Sequence, residues 1–437
     1  MSTMSGAPAI KTFTLSKESE LRIEVSLDAP LRLQLTSGTA EIFGTELPPQ
    51  YWVTFPPTHK FAIFTWNGAT VEIDGTAEVS YVADETPMVS YVNVHAVLDR
   101  RRARAKEQLM SSSSDSQGPR VIVVGPTDSG KSSLSKMLLS WAARLSWKPT
   151  FVDLDIGQGS ISIPGTISAT PIEMPIDPVE GIPLEMPIVY FYGHNQPGVN
   201  PGLYKLLVKE LARTLDLRFA ANADARAAGM VINTMGWVEG LGYELILHAI
   251  DTLRADVVLV IGQEKLYSML KDMLNGKPNI DIVKLHKSGG VVSRSPKYRS
   301  RMREFRTREY FYGPSNDLSP HSSVASFSDL HIYRIGGGPQ APRSALPIGA
   351  EPSADPNRVV QITINSDLLH VVLAVSYAKE PDQLLSSNVA GFIHITDVDV
   401  QRMKITYVAP CPGELPSRLL LAGSLTWMDE AAYRAGS

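Results

Sequence analysis

The sequence predicts an α/β protein whose central domain has a mostly parallel sheet and is flanked by an N-terminal β-sandwich and a C-terminal β-rich domain. The central part alternates continuous apolar runs with helical patterns, which is typical of parallel strands joined by helices. The parts before and after it show short alternating runs separated by turn residues, which is typical of antiparallel sheets. The 437 residues leave room for several domains. We expect three, over residues 1–104, 105–318 and 319–437.

The N-terminal domain is predicted from a period of two in its apolar residues. Leu21, Ile23 and Val25 alternate with polar residues, and further short runs follow in the same pattern. Turn pairs containing Gly or Pro separate the runs, so we expect a small antiparallel β-sandwich. Taken alone, the charged residues Glu20 and Lys60 within these runs are interpreted as solvated strand residues rather than ligand contacts.

The chain changes character after this domain. Residues 95–110 predict a charged helix rich in arginine, and residues 111–118 are Ser-rich with no apolar residue. The second composition is typical of a flexible linker. For the basic helix, a solvated connector is favoured over a contact with RNA.

Secondary structure in the other two domains follows from the apolar pattern. Strands of the central domain are expected at residues 121–124, 150–154, 230–233, 257–261 and 282–285, with helices at 203–217, 242–253 and 266–274. Strands of the C-terminal domain are expected at residues 330–335, 359–364, 371–375, 391–395 and 404–408, with loops at 336–339 and 352–356.

The most specific motif lies between the first central strand and a helical pattern. Residues 125–132 read Gly-x-x-x-x-Gly-Lys-Ser, which in this context predicts a P-loop. Its backbone N–H groups and the following helix N-terminus would hold a polyphosphate, with Lys131 at the β- and γ-phosphates and the Ser132 hydroxyl on Mg²⁺. The residues expected to contact the nucleotide are Gly125, Asp128, Ser129, Gly130, Lys131, Ser132 and Ser133. The sequence therefore predicts binding of a nucleoside triphosphate.

Two carboxylates, Asp153 and Asp155, stand at the end of the second central strand. The carboxyl ends of parallel strands line the ligand crevice of such sheets. Carboxylates there can hold Mg²⁺ through water and accept a proton from an attacking hydroxyl. We expect Asp155 to act as the general base and Asp153 to face the metal. The alternative is an acidic pair in a strand-to-helix loop, with one member capping the helix.

Trp237 follows the strand predicted at 230–233, at the same edge of the sheet. An aromatic ring there can stack on a nucleobase, for about 1–3 kcal/mol per base. The residues alone leave burial in the core open as the alternative.

A basic segment follows Gly289-Gly290, with seven Arg or Lys residues between positions 294 and 308. The two glycines can act as the hinge of a lid. Beside a P-loop, this density of arginine favours a clamp on a transferring phosphoryl group or on an RNA backbone over a solvated surface.

Composition limits the remaining classes. A net charge of −4 argues against a protein that coats nucleic acid, although it allows a local basic site. Cys411 is the single cysteine, so no intramolecular disulfide can form, and a reducing compartment is expected. We expect no secretory signal, because residues 1–11 lack an apolar stretch, and no membrane span, because no run of about 18 apolar residues occurs.

Together these motifs resemble the RNA 5′-hydroxyl-kinase family of pre-mRNA cleavage and polyadenylation factors. In the central domain the resemblance is carried by the P-loop, Asp153-Leu154-Asp155-Ile156-Gly157-Gln158-Gly159-Ser160, Ser162-Ile163-Pro164-Gly165-Thr166, Asn233-Thr234-Met235-Gly236-Trp237, Arg294-Ser295 and Arg308-Glu309-Tyr310-Phe311-Tyr312-Gly313. The flanking domains add Thr39-Ala40-Glu41-Ile42-Phe43-Gly44-Thr45-Glu46-Leu47 and Val389-Ala390-Gly391-Phe392.

The resemblance implies a role for the N-terminal domain in the nucleotide site. Glu20 and Lys60 match the contacts to the adenine and ribose side of ATP, which reverses the interpretation made from the residues alone. It further implies that Arg294 and Arg299 are lid arginines.

On the acceptor side, the resemblance implies that Asp155 is the base facing an RNA 5′-hydroxyl. Trp237 then matches the base-stacking residue, and Gln158 is expected on the RNA side.

The function implied is that of a nuclear, ATP- and Mg²⁺-binding subunit of the pre-mRNA 3′-end cleavage and polyadenylation machinery. Its site would transfer the γ-phosphate of ATP to an RNA 5′-hydroxyl, and its partners would be RNA and other subunits of that machinery. The alternative, also found in this family, is an ATP-bound scaffold without catalysis.

Overall fold

The computed structural model describes residues 10–111, 116–183, 186–277, 279–314, 316–336 and 357–428. Across these ranges the predicted architecture is confirmed, because a β-sandwich, an α/β domain with a largely parallel sheet and a β-rich domain follow one another along the chain. Half of the linker expected at 111–118 and nearly all of the loops expected at 336–339 and 352–356 lie outside the described residues. The residue numbers of the domain boundaries stay predictions.

Two facing sheets form the N-terminal domain. Their strands are β1 Lys11–Leu15, β2 Ser19–Val25, β3 Leu31–Gly38, β4 Glu41–Ile42, β5 Thr45–Glu46, β6 Trp52–Phe55, β7 Lys60–Thr65, β8 Ala69–Asp74 and β9 Ala77–Ala83. One sheet has the order β1-β8-β3-β6 and the other β5-β4-β7-β2-β9. Because alternate side chains of a strand point to opposite faces, Leu31, Leu33 and Leu35 of β3 are buried between the sheets.

Helix α1, Met88–Met110, joins this domain to the next and begins before the predicted residue 95. The helix is not solvated all round, which corrects the interpretation of its basic residues. Arg102 is fully buried, and its Nε donates to the carbonyl of Ala228 at 2.9 Å. A run of charged residues in the sequence does not reveal that one of them is buried, because the burial of Arg102 depends on the helix that packs against α1.

The central domain is a sheet with helices on both faces. Its strands are β10 Arg120–Val124, β11 Thr150–Asp153, β12 Thr166–Pro171, β13 Ile188–Phe191, β14 Met230–Asn233, β15 Val257–Ile261 and β16 Asp281–Leu285. Its helices are α2 Lys131–Arg144, α3 Pro201–Ala221, α4 Ala223–Ala228, α5 Leu241–Thr252, α6 Glu264–Leu274 and α7 Pro296–Tyr312.

The strand order is β13-β12-β11-β14-β10-β15-β16. The five strands from β11 to β16 in this order are parallel, and β12 and β13 extend the sheet as an antiparallel edge. The sequence did not predict these two strands, because prolines surround them. The order places the ends of β10, β11 and β14 side by side, which gathers the motifs that follow them.

The C-terminal domain is a seven-stranded sheet in the order β17-β22-β21-β20-β23-β18-β19. Its strands are β17 His321–Ser326, β18 His331–Ile335, β19 Val359–Gln361, β20 Val371–Ser376, β21 Val389–Asp399, β22 Lys404–Ala409 and β23 Leu419–Thr426. Neither β17 nor β23 was predicted, and β19 is shorter than the strand expected at 359–364. One face shares a core with the central domain, where Phe191 of β13 contacts Phe392. Across the described residues, none of the helices has the length and apolar character needed to span a membrane.

Candidate active site

The P-loop turns sharply between β10 and α2. The chain leaves β10 after Val124, and Gly130 caps α2 with φ = 94°, a backbone conformation that L side chains rarely adopt. A Cβ on Gly130 would also lie 3.1 Å from Cγ2 of Val291. The first N–H groups of α2 therefore point into the loop, which is the arrangement that binds phosphate at a helix N-terminus.

Lys131 lies inside this loop and is 7% exposed. Its Nζ donates to the carbonyl of Pro126 at 2.8 Å, and burial lowers the pKa of the ammonium to about 8 against the opposing influence of Asp155. The Ser129 hydroxyl is buried without a hydrogen-bond partner among the described residues. Because an unsatisfied buried hydroxyl and a desolvated ammonium are both unfavourable alone, the loop is suited to an anionic ligand.

Asp153 is enclosed behind the loop that follows β11. Its Oδ1 accepts from the Asp155 N–H at 3.1 Å and from Nδ2 of Asn233 at 3.0 Å, and its Oδ2 accepts from the Ser160 N–H at 2.7 Å. Burial raises the pKa of Asp153, while these hydrogen bonds oppose the rise. The carboxylate thus shapes the backbone that presents Asp155. Its expected role near a metal stays a prediction.

Asp155 faces the cavity itself. Its Oδ1 accepts from the Gly157 N–H at 3.1 Å and from the Gln158 N–H at 3.2 Å. Burial and then the neighbouring Asp153 charge raise the pKa of Asp155 to about 6. A carboxyl group with that pKa is ionised at neutral pH and is a stronger base than an ordinary aspartate.

The lid segment docks on the P-loop through Asp128. Oδ2 of Asp128 accepts from the Arg294 N–H at 3.0 Å and from Nη2 of Arg299 at 2.6 Å. Nη2 of Arg299 also donates to the Arg294 carbonyl, and the Arg299 carbonyl accepts from Nε2 of Gln158 at 3.3 Å. The start of α7 therefore contacts both the phosphate loop and the loop of Asp155.

Trp237 lies at the mouth of the cavity with 39% of its surface exposed. Its position is fixed by two glycines, because a Cβ on Gly198 or Gly242 would contact its ring. The preceding Gly236 accepts a hydrogen bond from the Thr127 hydroxyl of the P-loop at 3.3 Å. The ring is thus held rigidly with one part open. This agrees with a stacking surface better than with the alternative of a core residue.

Glu20 and Arg22 of β2 bring the N-terminal domain to the cavity. Glu20 is 4% exposed and accepts from Nε of Arg22 at 2.6 Å and from the Thr86 hydroxyl at 3.0 Å. The Arg22 guanidinium also lies against Gly289 and Gly290, where a Cβ would come within 3.2 Å or less of it. The two predicted hinge glycines therefore pack directly on the N-terminal domain.

Lys60 of β7 completes this wall. Its Nζ forms an ion pair with Glu24 at 2.5 Å and lies 5.7 Å from the ring centroid of Tyr298, in the first turn of α7. The Arg294 guanidinium lies over the same ring at 5.6 Å. Cation–π contacts of this kind join the N-terminal domain to the lid.

Most of these groups line one cavity of about 460 Å³. Of the predicted site residues, the structure brings Glu20, Lys60, Asp128, Ser129, Gly130, Lys131, Ser132, Ser133, Asp155, Gln158, Trp237, Arg294 and Arg299 to its wall, but not Gly125 or Asp153. The described residues contain no group of three or more His, Cys, Asp or Glu side chains suited to a metal ion.

The sequence reasoning missed several lining residues. Phe43, Tyr81, Tyr91 and Val291 all contact the cavity, and Arg22 anchors Glu20. Arg22 offered a signal, since it directly follows Glu20-Leu21 in a strand. The others are apolar or aromatic side chains in a strand, a helix, a turn and a loop, and nothing in the sequence indicates what such side chains face.

Known families and proteins are similar to this chain in all three domains. Residues 14–105 match the N-terminal beta-sandwich domain of polyadenylation factor, residues 125–313 the mRNA cleavage and polyadenylation factor CLP1 P-loop, and residues 318–429 the pre-mRNA cleavage complex II protein Clp1. Protein CLP1 homolog of Arabidopsis thaliana is 64% identical over 97% of this chain and 96% of its own length. Polyribonucleotide 5′-hydroxyl-kinase Clp1 of Gallus gallus is 44% identical over 96% of this chain and 97% of its own length.

A solved structure extends the similarity to the whole fold. It describes an extended interface between Pcf11p and Clp1p and the structural basis for ATP loss in a glycine-to-arginine point mutant. The similarity covers 97% of this chain and 100% of that one, with a TM-score of 0.82 and 26% identity. These matches include all three domains, so the chain belongs to the Clp1 family of mRNA cleavage and polyadenylation factors.

Proposed function

We propose that this protein is an ATP-dependent RNA 5′-hydroxyl kinase and a subunit of the nuclear pre-mRNA 3′-end cleavage and polyadenylation machinery. One observation carries the proposal: Asp155, with a pKa of about 6, lies on the wall of the same cavity as Lys131 of the P-loop. A phosphate-binding loop alone supports nucleotide binding. A general base beside it supports transfer to a hydroxyl acceptor.

The donor side would bind ATP with its phosphates on the P-loop. Lys131 would exchange the Pro126 carbonyl for phosphate oxygens, and the buried Ser129 hydroxyl would gain a partner. Glu20 and Lys60 would contact the adenine and ribose side, because they stand on the N-terminal wall of the cavity. Binding therefore needs two domains at once.

The acceptor side would place an RNA 5′-end between Trp237 and Asp155. The exposed part of the Trp237 ring suits stacking of the terminal base, which favours binding without a strict sequence preference. Asp155 would accept the proton of the 5′-hydroxyl as its oxygen attacks the γ-phosphate, and Gln158 would stand beside the incoming strand.

Mg²⁺ fits the residues present. The Ser132 hydroxyl lines the cavity at the first turn of α2, and Asp153, whose oxygens already accept three hydrogen bonds, would act through a bridging water. When bound, Mg²⁺ neutralises charge on the β- and γ-phosphates. The lid arginines Arg294 and Arg299, now held at Asp128, would add positive charge on the other side of the transferring group.

The alternative is a scaffold that binds ATP as a structural ligand, which would stabilise the fold by mass action. The kinase is favoured because the base, the P-loop lysine and both lid arginines are all present at one cavity. The chicken relative is also named as a polyribonucleotide 5′-hydroxyl-kinase.

The test is transfer of a labelled γ-phosphate to a 5′-hydroxyl RNA. We expect transfer by the wild type and a loss of about a thousandfold or more in Lys131→Ala, because the lysine stabilises the charge on the transferring group. Lys148→Ala is the matched control, since Lys148 is exposed and pairs with Glu173 on the surface. Folded wild-type protein that retains ATP but labels no RNA would exclude the kinase and leave the scaffold.

A further inference from the structure

Helix α7 connects the cavity to the C-terminal domain. Its 17 residues span about 25 Å at 1.5 Å per residue. At its start, Ser295 caps the helix by accepting from the Tyr298 N–H, and Arg299 pairs with Asp128 of the P-loop. Its last turn lies instead in the core that the C-terminal sheet shares with the central domain, since Phe311 is fully buried there.

Aromatic contacts hold that last turn in place. The ring of Phe311 stacks on Trp427 with centroids 5.4 Å apart and planes within 4°. The ring of Tyr310 stands edge-on to Phe392 of β21 at 5.4 Å. Such packing fixes the end of the helix against the sheet, yet apolar contacts alone tolerate small sliding movements.

A polar contact restricts that movement. The Phe392 N–H donates to the Tyr310 hydroxyl at 2.9 Å. The neighbouring Gly391 leaves room for it, because a Cβ there would lie 2.7 Å from the same hydroxyl oxygen. Burial raises the pKa of Tyr310 to about 12, so the group remains a neutral phenol at all working pH values.

We propose that Tyr310 is a positioning residue for the lid. Its hydrogen bond to the Phe392 backbone fixes the position of α7 along its axis on the C-terminal sheet. The positions of Arg294 and Arg299 above the P-loop are fixed in consequence. The proposal rests on the proposed kinase function, because the positions of these arginines matter for phosphoryl transfer. It assigns the C-terminal domain a task in a site that it does not line.

The distance is bridged by the helix itself. Arg299 and Tyr310 are eleven residues apart, about 16 Å along the axis, and the hydrogen-bonded backbone between them moves as one unit. A misplacement of about 1 Å at reacting groups can lower a rate by about a hundredfold, so a small shift at Tyr310 is sufficient to matter. ATP itself is bound mainly by the P-loop and the N-terminal wall, which do not depend on this contact.

The first test is Tyr310→Phe, which removes only the hydroxyl. We expect the kcat for RNA phosphorylation to fall by about threefold to tenfold, with the KM for ATP unchanged within about twofold. Tyr190→Phe is the matched control, because Tyr190 also loses a buried hydroxyl contact, to Thr214, but does not touch α7. An equal loss of kcat in both variants, or a rise in KM for ATP without loss of kcat, would overturn the proposal.

The second test uses the close fit at Gly391. Gly391→Ala should lower kcat more than Tyr310→Phe does, because the new methyl group and the hydroxyl cannot both fit. The double variant Gly391→Ala with Tyr310→Phe should recover activity, since it removes the clashing oxygen. If the double variant were no more active than Gly391→Ala alone, the loss of activity in Gly391→Ala would come from general damage to the fold and not from the clash with the hydroxyl. That result would contradict the proposal.

A readout without turnover separates this inference from the proposed function. We expect amide hydrogen exchange of residues 287–299 in the protein bound to a non-hydrolysable ATP analogue to be faster in Tyr310→Phe than in wild type or Tyr190→Phe. Unchanged exchange there would refute the positioning role even if the kinase is active. Faster exchange in a protein that transfers no phosphate would refute the kinase and retain the coupling.

Discussion

The two flanking β domains use similar strands for different tasks. The N-terminal domain places Glu20, Lys60 and Tyr81 directly on the cavity wall. Among the described residues, no side chain after Arg303 lines the cavity, so the C-terminal domain contributes none. One of its contacts with an element of the site is with the last turn of α7. Under the proposed function, the N-terminal domain contacts the ligand, and the C-terminal domain positions residues that contact it.

The contacts that join each flanking domain to the central domain also differ. The hairpin of β4 and β5 docks on α2 through side chains, with Glu41 accepting from Nε1 of Trp141 and from Nη1 of Arg144, both at 3.0 Å. Strand β23 docks through its backbone as well, with the Ser424 N–H donating to the Gly193 carbonyl at 2.8 Å, while the Ser424 hydroxyl lies 2.7 Å from Nδ1 of His194. A junction made by side chains can adjust when one partner changes, whereas a backbone junction cannot.

The largest expected effect tests this difference. A Cβ on Gly423 would lie 2.1 Å from the Gly193 carbonyl oxygen, so Gly423→Ala should lower the free energy of unfolding by about 3 kcal/mol. At the other junction, a Cβ on Gly44 would lie 3.0 Å from the Met137 carbonyl, and φ is 85°, so Gly44→Ala should cost about 1–2 kcal/mol. Thermal unfolding measures both.

Gly276→Ala is the control for these glycine substitutions, because a Cβ there meets no atom within 4 Å. If the Gly423→Ala and Gly276→Ala proteins were equally stable, the C-terminal junction would be able to accommodate the added methyl group, and the expected difference between the two junctions would be refuted.

Two substitutions with effects of intermediate size distinguish the binding of ATP from the binding of RNA. Lys60→Ala should raise the KM for ATP by about tenfold and leave the KM for RNA unchanged, because Lys60 stands on the N-terminal wall. Trp237→Ala should raise the KM for RNA by about tenfold or more and leave that for ATP unchanged. Steady-state kinetics with each substrate varied measure the two effects.

Lys17→Ala is the surface control in the N-terminal domain, since Lys17 pairs with its neighbour Glu18 and its side chain is 71% exposed. If Lys60→Ala lowered kcat and left the KM for ATP unchanged, the N-terminal domain would position catalytic groups, and the contrast between the two flanking domains would be lost.

A pH-dependent effect concerns Asp155 in the nucleotide-free protein. Its folded pKa of about 6 exceeds the ordinary aspartate value, so the folded state is penalised once the group ionises. The penalty is absent below about pH 4 and complete above about pH 6. Asp155→Asn should therefore stabilise the protein by about 2 kcal/mol at pH 8 and have little effect at pH 4. The same gain in Tm at both pH values would contradict this assignment.

Much of the site was predictable because it is written in local motifs. The strand before residue 125 and the helix after it required a P-loop, and the continuous apolar run at Val257–Ile261 required a buried parallel strand. The contact of Asp128 with Arg299 joins residues 171 positions apart, and that of Tyr310 with Phe392 joins residues 82 apart. No local pattern encodes such pairs.

Elsewhere the local pattern was present but misleading. Arg102 belongs to a charged run that is typical of a solvated helix, yet α1 turns it into the protein interior. The strands β12 and β13 were hidden by the prolines around them; β13 alone is the edge strand, which leaves one row of its backbone groups unpaired. In both cases the outcome depends on which neighbour covers the segment.

The contact of Arg22 with Gly289 and Gly290 has a consequence for inhibitor design. It closes one side of the cavity with a wall from a separate β domain, whose residues Val79 and Tyr81 are not dictated by the phosphate-binding motif. A compound that binds to this wall and leaves the phosphate loop empty would gain its affinity from the part of the site that other P-loop proteins are least expected to share. Selectivity among proteins with P-loops would then follow from the domain junction rather than from the loop.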